Sequence, residues 1–305
     1  MHATSSSRLF PVAAILIGAG MWGVIWYPLR LLEDRGLAGL WLTFVIYAVA
    51  LVASLPRTAR SVPSLVREPM LGAMLMLTAG WTNIAFVEAV LAGNILRVLL
   101  LFYLSPLWAV LLARIWLGER ISPAAAASLA LAMTGAIVML WQPGAGFPVP
   151  RDAADWYAIS AGFAFALSNV VTRKATALPV AAKAFAVWSG VVVIAAVMFP
   201  FSERALPAVD AGTLGWAALL GIAGILVMTW LVQYGVTNLP VVRSAVLALI
   251  ELVVGAISQQ LLTDEVVTWR EWSGGALIVI GAVLAARAAA LDMNHQSIPE
   301  GEKPG

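Results

Sequence analysis

One glutamate, Glu251, lies at the centre of a long apolar stretch in the second half of the chain. An ionised carboxylate is costly inside an apolar helix, and such acids usually face a cavity or a partner. With a period of 3.6 residues, Glu251 shares one helix face with Arg243, Leu247, Val254 and Ser258. We interpret Glu251 as a proton carrier or an anchor for a substrate amine. The alternative is a packing acid, protonated and hydrogen-bonded.

An earlier apolar stretch carries a similar face, formed by Arg97, Leu101, Ser105 and Trp108. Ser105 and Trp108 lie deep in the stretch, so we include them among the candidate substrate-binding residues. Arg97 lies near its end. We assign Arg97 and Arg243 to topology and gating, with attraction of anionic substrate groups as a further role.

Uncharged polar side chains also fall deep within apolar stretches, and we add them as candidate substrate contacts. An amide offers donors and acceptors together, which suits the carboxylate and ammonium groups of a zwitterion. Hydrogen bonding between helices is the alternative role for each of them. These residues are Asn83, Tyr103, Asn169, Gln233 and Tyr234.

The chain has 13 Trp residues, and most of them fall near the ends of apolar stretches, as in an interfacial aromatic belt. Trp22 and Trp26 lie deeper and one helical turn apart. They offer aromatic walls for stacking or cation–π contact with a substrate. Ordinary packing is the alternative for both.

The sequence lacks the parts of an enzyme. It has no Cys and only two His, His2 and His295, both in predicted tails. We find no Walker A loop, no zinc-protease motif and no paired aspartate motif of a membrane prenyltransferase. We therefore expect no catalytic activity, no metal and no cofactor.

The composition indicates an all-α integral membrane protein. Hydrophobic residues make up 62% of the 305 residues and charged residues 11%, and the mean hydropathy is +0.92. Apolar runs of roughly 20 residues suffice to cross a bilayer. Charge clusters, Pro and Gly divide the chain into ten predicted membrane-spanning segments, numbered 1 to 10, at about 10–31, 37–55, 69–91, 93–116, 121–141, 153–173, 180–201, 212–236, 240–262 and 268–290.

An even number of segments places both termini on one side. If that side is cytoplasmic, 12 Lys and Arg residues lie inside and six outside, in agreement with the positive-inside rule. Because the basic residues are scattered among loops, we expect lipid and a small molecule as partners, and no nucleic acid. We expect a location in a bacterial inner membrane and a monomer, with an oligomer as the alternative.

The two halves of the chain resemble each other. A stretch rich in Pro and Gly, residues 142–151, falls midway. At an offset of 146 residues Arg97 falls on Arg243 and Glu119 on Glu265, and at an offset of 143 Arg30 falls on Arg173. We place Glu119 and Glu265 with the gating or topology residues. The predicted division is 1–147 and 148–291, each with five segments, followed by a polar cytoplasmic tail, 292–305.

Five segments per repeat is an odd number, so the second copy enters the membrane from the side opposite to the first. The predicted architecture is therefore two inverted five-helix repeats. Inverted repeats recur in secondary transporters, because two pseudo-symmetric halves can exchange conformations around a central site. This architecture favours a carrier that works by alternating access.

The sequence also resembles the ten-helix, EamA-type members of the drug/metabolite transporter superfamily. The resemblance rests on the pair Trp22-Gly23, on Pro106 within segment 4, on the box Leu117-Gly118-Glu119-Arg120 and on the glycine-spaced segments 5 and 10. Leu252 stands where relatives often have Pro after the glutamate of segment 9, so we expect a straighter segment 9. The box is Thr263-Asp264-Glu265 in the second half.

Within that superfamily, the density of Trp and the short loops are most similar to the YddG-type exporters of aromatic and other amino acids. The resemblance implies efflux of small metabolites, most of all amino acids. A carrier for drugs or nucleotide sugars and a channel-like facilitator stay open as alternatives. Proton antiport and facilitated diffusion both stay open as modes of energy coupling.

Overall fold

The computed structural model describes residues 5–93, 95–141, 150–201, 207–264 and 266–295. Within these residues the chain is helical and forms no strand. Short 3₁₀ turns occupy Ala59–Ser61 and Phe199–Phe201, and Leu220–Leu226 is a π-helix that joins α10 to α11. The α-helices are Ser5–Glu33 (α1), Gly39–Thr58 (α2), Val62–Arg67 (α3), Pro69–Ala92 (α4), Ile95–Phe102 (α5), Ser105–Trp116 (α6), Pro123–Leu140 (α7), Ala153–Lys174 (α8), Val180–Met198 (α9), Ala211–Leu219 (α10), Val227–Asn238 (α11), Val241–Ala248 (α12), Ile250–Leu262 (α13) and Trp269–His295 (α14).

Eight of the ten predicted segments are long and apolar enough to cross a membrane, judged by length and composition over the described residues. Segments 1, 2, 3, 5 and 7 each correspond mainly to one helix, α1, α2, α4, α7 and α9. Segment 4 comprises α5 and α6, segment 8 comprises α10, the π-helix and α11, and segment 9 comprises α12 and α13. The chain is a multi-pass membrane protein.

The two segments that fall short of that standard are α8 and α14, so ten crossings remain a prediction. α8 is more polar because it carries Asp155, Ser168 and Asn169, and all three side chains are buried. A helix enclosed by other helices faces little lipid and therefore tolerates polar residues.

Local sequence explains where several helices begin. Asp152 precedes α8 and accepts a hydrogen bond from the backbone N–H of Asp155 at 3.0 Å. Ser122 precedes α7 and accepts one from Ala125 N–H at 3.2 Å. In each case a short polar side chain satisfies an N–H group that has no partner within the helix.

The helix boundaries repeat at the offset found in the sequence. Shifting α5 by 146 residues gives the bounds of α12, and shifting the end of α6 gives the end of α13. The same shift moves the start of α7, Pro123, onto the start of α14, Trp269. The similarity of the two halves thus extends from residue types to the positions at which helices begin and end.

Contacts between helices also come in pairs. When a helix of the first half packs on one of the second, the equivalent helix of the second half packs on the equivalent helix of the first. α4 packs on α8 and α9, and in the corresponding places α11 packs on α1 and the π-helix on α2. α8 packs on α6 as α1 packs on α13. The contacts α7–α14, α6–α12 and α2–α9 each join equivalent segments. The halves therefore interleave rather than form separate bodies.

Segments 5 and 10 show this exchange residue by residue. A Cβ added to Gly135 would overlap the backbone of Gly274 and approach Ile278. A Cβ added to Gly281 would lie 2.8 Å from the Ser128 carbonyl oxygen and 2.9 Å from Ala132 Cβ. Gly281 lies 146 residues after Gly135, and the residues that Gly135 contacts, Gly274 and Ile278, lie 146 residues after those that Gly281 contacts, Ser128 and Ala132. Glycine is needed at both positions because the two backbones touch.

We call the two ends of the bundle inner and outer, after the predicted orientation. At the inner end, the ends of α8 and α11 meet the start of α9 through side-chain contacts, and Glu119, which follows α6, bonds to the start of α12. At the outer end, Arg97 at the start of α5 meets Asp155 at the start of α8. The predicted domain boundary near 147 falls among residues 142–149, which lie outside the described residues, and so does 296–305 of the predicted tail.

Candidate functional site

Two interrupted segments define the candidate site. Segment 4 breaks between Phe102 and Ser105, and segment 9 breaks at Leu249. Breaks at equivalent positions of two transporter halves are typical of a binding site, because they free backbone groups in the interior of the bundle. Segment 9 is interrupted although Leu252 replaces the proline of relatives.

In segment 4 the break has a local cause. Pro106 has no N–H group, so it cannot bond to the carbonyl of Phe102 four residues earlier. Gly162 of α8 lies directly against that carbonyl, since a Cβ there would be 2.6 Å from the Phe102 oxygen. In segment 9 the turn is closed by a hydrogen bond that spans three residues instead of the four of an α-helix. It runs from Leu252 N–H to the Leu249 carbonyl at 3.1 Å.

A cavity lies between the two breaks and α8. Four of the predicted substrate-binding residues line it, together with Phe102 and Phe165: they are Tyr103, Ser105, Asn169 and Glu251. The space open to the centre of a water molecule is about 20 Å³. One water molecule needs about 10–15 Å³ of such space. The site in this conformation is closed around a space far smaller than an amino acid.

Glu251 and Tyr103 face each other across this cavity. The Tyr103 hydroxyl interacts with the Glu251 carboxyl group. Ser105 and Asn169 are buried and also line the cavity. A carboxyl, a phenol, a hydroxyl and an amide around one cavity can bind an ammonium group or exchange a proton.

Helix α1 closes the side of the site beside segment 9. A Cβ on Gly23 would lie 2.6 Å from the Glu251 carbonyl oxygen, so glycine is required for α1 to pack there. Trp26 Nε1 donates to Ser258 Oγ at 2.9 Å, and Ser258 Oγ donates to the Gly23 carbonyl at 3.1 Å. Trp26 is thus engaged in helix packing rather than in the cavity.

Most of the other candidates also have structural contacts. Trp22 packs against the cluster around α2 and α9. Trp108 packs beside Ala109 and Phe163. Asn83 accepts a hydrogen bond from Tyr47 Oη at 2.7 Å. Tyr234 stacks edge-on against Phe10, with ring centroids 5.1 Å apart.

Glu119 links three helices at the inner end. Gly118 has a φ of +65°, which turns the chain at the end of α6 and directs Glu119 back across the bundle. Glu119 Oε2 accepts from the backbone N–H of Val241, at the start of α12, at 3.1 Å. Its other oxygen lies 3.6 Å from Arg173 Nε. The helix dipole stabilises the Glu119 carboxylate at the N-terminus of α12 and the Arg173 cation at the C-terminus of α8.

A polar cluster continues from Arg173. Arg173 Nη1 donates to the Thr237 carbonyl at 2.8 Å. Lys183 Nζ donates to Thr237 Oγ1 at 3.1 Å and to the Thr172 carbonyl at 2.7 Å. Thr172 Oγ1 donates to Gln233 Oε1 at 3.0 Å. Gln233, a predicted substrate-binding residue, therefore lies at the inner end and outside the cavity. Together these contacts join α8, α9 and α11.

A buried ion pair closes the outer end. Arg97 Nη2 lies 2.7 Å from Asp155 Oδ2, and Arg97 Nε donates to both carboxylate oxygens. The side chains of Arg97 and Asp155 are 11% and 2% exposed. Arg243, the counterpart of Arg97, is buried near the start of α12. Glu265 lies outside the described residues.

Sequence reasoning missed Asp155, Thr172 and the burial of Lys183. Lys183 is the fourth residue of α9, and a long basic side chain so near a helix end usually reaches the membrane surface. A signal was available for Asp155, since an acid three residues after Asp152 suits the first turn of α8. Its pairing with Arg97 depends on which helices pack together, and no local pattern reports that.

A larger cleft of about 680 Å³ lies between α1 and the segment formed by α10 and the π-helix. Its walls are almost wholly apolar and include Val24, Leu31, Trp216 and Leu219, with Arg35 at one end. No candidate substrate-binding residue lines it. We therefore place the candidate site at the smaller, polar cavity.

The chain is similar to known proteins in sequence over part of its length and in fold over most of it. Residues 152–287 match the model of the EamA-like transporter family. A crystal structure of a protein with 20% sequence identity aligns with a TM-score of 0.72, over 94% of this chain and 99% of that chain. At this identity the match shows a shared fold alone. No protein with a curated description matches the sequence.

These findings define the class of the protein as a membrane transporter for small solutes. The match over residues 152–287 confirms the resemblance of the chain to the drug/metabolite transporter superfamily.

Proposed function

We propose that this protein is a secondary transporter that exports small metabolites, most of all amino acids including aromatic ones, by alternating access. The proposal includes ten crossings in two inverted repeats, both termini in the cytoplasm and location in a bacterial inner membrane. Its substrate site is the cavity between the breaks of segments 4 and 9.

The equivalence of Ser105 and Glu251 carries this proposal. A shift of 146 residues moves Ser105 onto Glu251, and both line the one cavity. A site on the pseudo-symmetry axis is the place at which two exchanging halves can both contact one substrate. The paired helix boundaries and the exchanged contacts of Gly135 and Gly281 support the inverted repeat.

The side chains of the cavity suit an amino acid. Glu251 supplies a negative charge for the ammonium group, and Asn169 supplies an amide for the carboxylate. Phe102 and Phe165 supply aromatic rings on which an aromatic side chain stacks. Because the present cavity holds about one water molecule, segments 4, 6 and 9 must separate before a substrate enters.

The rival substrate classes differ in their demands. A nucleotide sugar needs several basic groups at the site, and the cavity lining contains none. Lys183 and Arg243 are buried, but both lie within the first turns of α9 and α12, at the inner end.

Counterflow in proteoliposomes tests the proposal. Vesicles loaded with unlabelled phenylalanine should accumulate labelled phenylalanine transiently above its external concentration, because a carrier exchanges one substrate for another. A panel of amino acids, nucleotide sugars and cationic drugs identifies the substrate class. Uptake that does not depend on internal substrate would indicate a channel, and exchange of nucleotide sugars alone would refute the amino-acid assignment.

A further inference from the structure

Lys183 is a fully buried cation at the inner end of the bundle. Its exposed fraction is 0%, and it lies in an apolar helix, Val180–Phe201. Burial of a charge in this setting costs free energy unless a partner of opposite charge compensates it.

The two acceptors of Lys183 are both uncharged. An ammonium group has three N–H donors, and here it has the Thr172 carbonyl at 2.7 Å and Thr237 Oγ1 at 3.1 Å. Among the described residues no carboxylate lies within ion-pair distance of it. The nearby carboxylate, Glu119, is engaged by Arg173 and by the Val241 N–H group. The cluster of Lys183, Arg173 and Glu119 thus has one positive charge in excess.

The fold does not require a cation at this place. When α9 is aligned on α2 from their first residues, Lys183 falls on Leu42. When Arg173 is aligned on Arg30, Thr172 falls on Leu29. Leu29 and Leu42 pack in one apolar cluster in the first repeat. Leucines therefore fill in one half the positions that Lys183 and Thr172 occupy in the other.

We propose that Lys183, with Arg173 beside it, binds the carboxylate of a solute that enters from the inner end. The inference rests on the proposed function and names carboxylates as the class of solute recognised there. When the inner end opens, Arg173 separates from Glu119, and the carboxylate accepts charge-assisted hydrogen bonds from the two cations. This site is an entry station, separate from the cavity at Glu251.

The test compares a solute with and without its carboxylate. Phenylalanine and phenethylamine are presented at the cytoplasmic face of inside-out proteoliposomes that contain wild type, Lys183→Met, Lys183→Arg or Lys174→Met. Lys174 is the matched control, because it is exposed and lies over the Trp116 ring 5.2 Å away. Melting temperature and the elution volume on size exclusion verify that each variant is folded.

We expect Lys183→Met to raise the half-saturating concentration of phenylalanine by about tenfold, the usual effect of losing a hydrogen bond to a charged group. The value for phenethylamine should stay within about twofold, which is the range of neutral surface substitutions. Lys183→Arg should recover most of the affinity for phenylalanine, and Lys174→Met should match wild type. Equal loss for both solutes in a folded Lys183→Met variant, or no loss for either, would overturn the proposal.

A second measurement does not depend on amino-acid transport. If wild type moves no phenylalanine, the proposed function fails, and the carboxylate site is tested by binding alone. 3-Phenylpropanoate should then raise the melting temperature of wild type and not of Lys183→Met, and 3-phenylpropanamide should raise neither. A shift that is the same for the acid and the amide, or the same in both proteins, would refute the site.

Discussion

Ser105 and Glu251 occupy the same position in the two halves of the chain and line the same cavity. Each stands at the start of the second part of an interrupted segment, Ser105 as the first residue of α6 and Glu251 as the second of α13. Both halves of the chain therefore have a break at this position, while the side chain beside the break differs. The hydroxyl and the carboxyl can play different parts at a site that both halves share.

Close packing of segments 5 and 10 should be sensitive to a single methyl group. We expect Gly135→Ala to lower the stability by about 1–3 kcal/mol, because the added Cβ overlaps the backbone at Gly274. Gly215→Ala is the control, since a Cβ there meets nothing within 4 Å. Thermal unfolding in detergent measures both. Equal melting temperatures for the two variants would show that these helices do not meet as described.

The polar cluster at the inner end should hold that end closed. The chain has no Cys, so a single cysteine in place of the buried Gln233 reports access from the cytoplasm. We expect Glu119→Ala to speed its labelling by a membrane-impermeant maleimide, because the contacts to Arg173 and Val241 are lost. Glu33→Ala is the control, because Glu33 is an exposed carboxylate at the outer end of the bundle, where α1 ends. This variant should leave the labelling rate unchanged. An unchanged rate in Glu119→Ala would argue against a closing role.

The ion pair between Arg97 and Asp155 should stabilise the outer end of the bundle. Asp155→Asn leaves the Arg97 guanidinium buried without its counter-charge, so we expect the melting temperature to fall by several degrees. Asp152→Asn should cause little change, because asparagine also caps the start of α8. Replacement of both Arg97 and Asp155 by leucine should recover part of the loss. If the double variant is no more stable than Asp155→Asn, the two residues are not coupled.

The orientation of the chain is open to direct measurement. Reporter fusions in the loops around 57–67 and 173–183 and at the C-terminus should all be cytoplasmic, because basic residues concentrate on that side. Fusions near 34–38 and 202–210 should be periplasmic. A periplasmic C-terminus would contradict the ten crossings.

Sequence alone predicted the helical class, because apolar runs of membrane-spanning length can be found directly in the residues. The inverted repeat stays a prediction. The 146-residue offset, found from Arg97 and Glu119, also aligns helix boundaries. The break of segment 9 was not predictable from its residues, since Leu249 and Leu252 continue an apolar run. The structure shows α1 packed against the residues that follow this break, with Gly23 close to the Glu251 carbonyl, and such contacts between distant segments leave no local pattern in the sequence.

The candidate site was predictable only in part for a similar reason. Tyr103, Ser105, Asn169 and Glu251 do meet at one cavity. Trp26 and Gln233 looked equally deep in the sequence, but their neighbours are Ser258 and Thr172, so they bond elsewhere. Depth along a helix is visible in sequence. The direction in which a side chain finds its partner is not.

Transport by Glu251→Gln tests the central claim most directly. Glutamine keeps the volume of the side chain and much of its hydrogen bonding but removes the titratable charge. Net export of phenylalanine is measured against pH in proteoliposomes with equal amounts of folded wild type and variant. We expect export to fall by about tenfold or more, and the pH dependence seen in wild type to disappear. Equal flux with equal pH dependence would contradict the account and leave Glu251 as a packing residue.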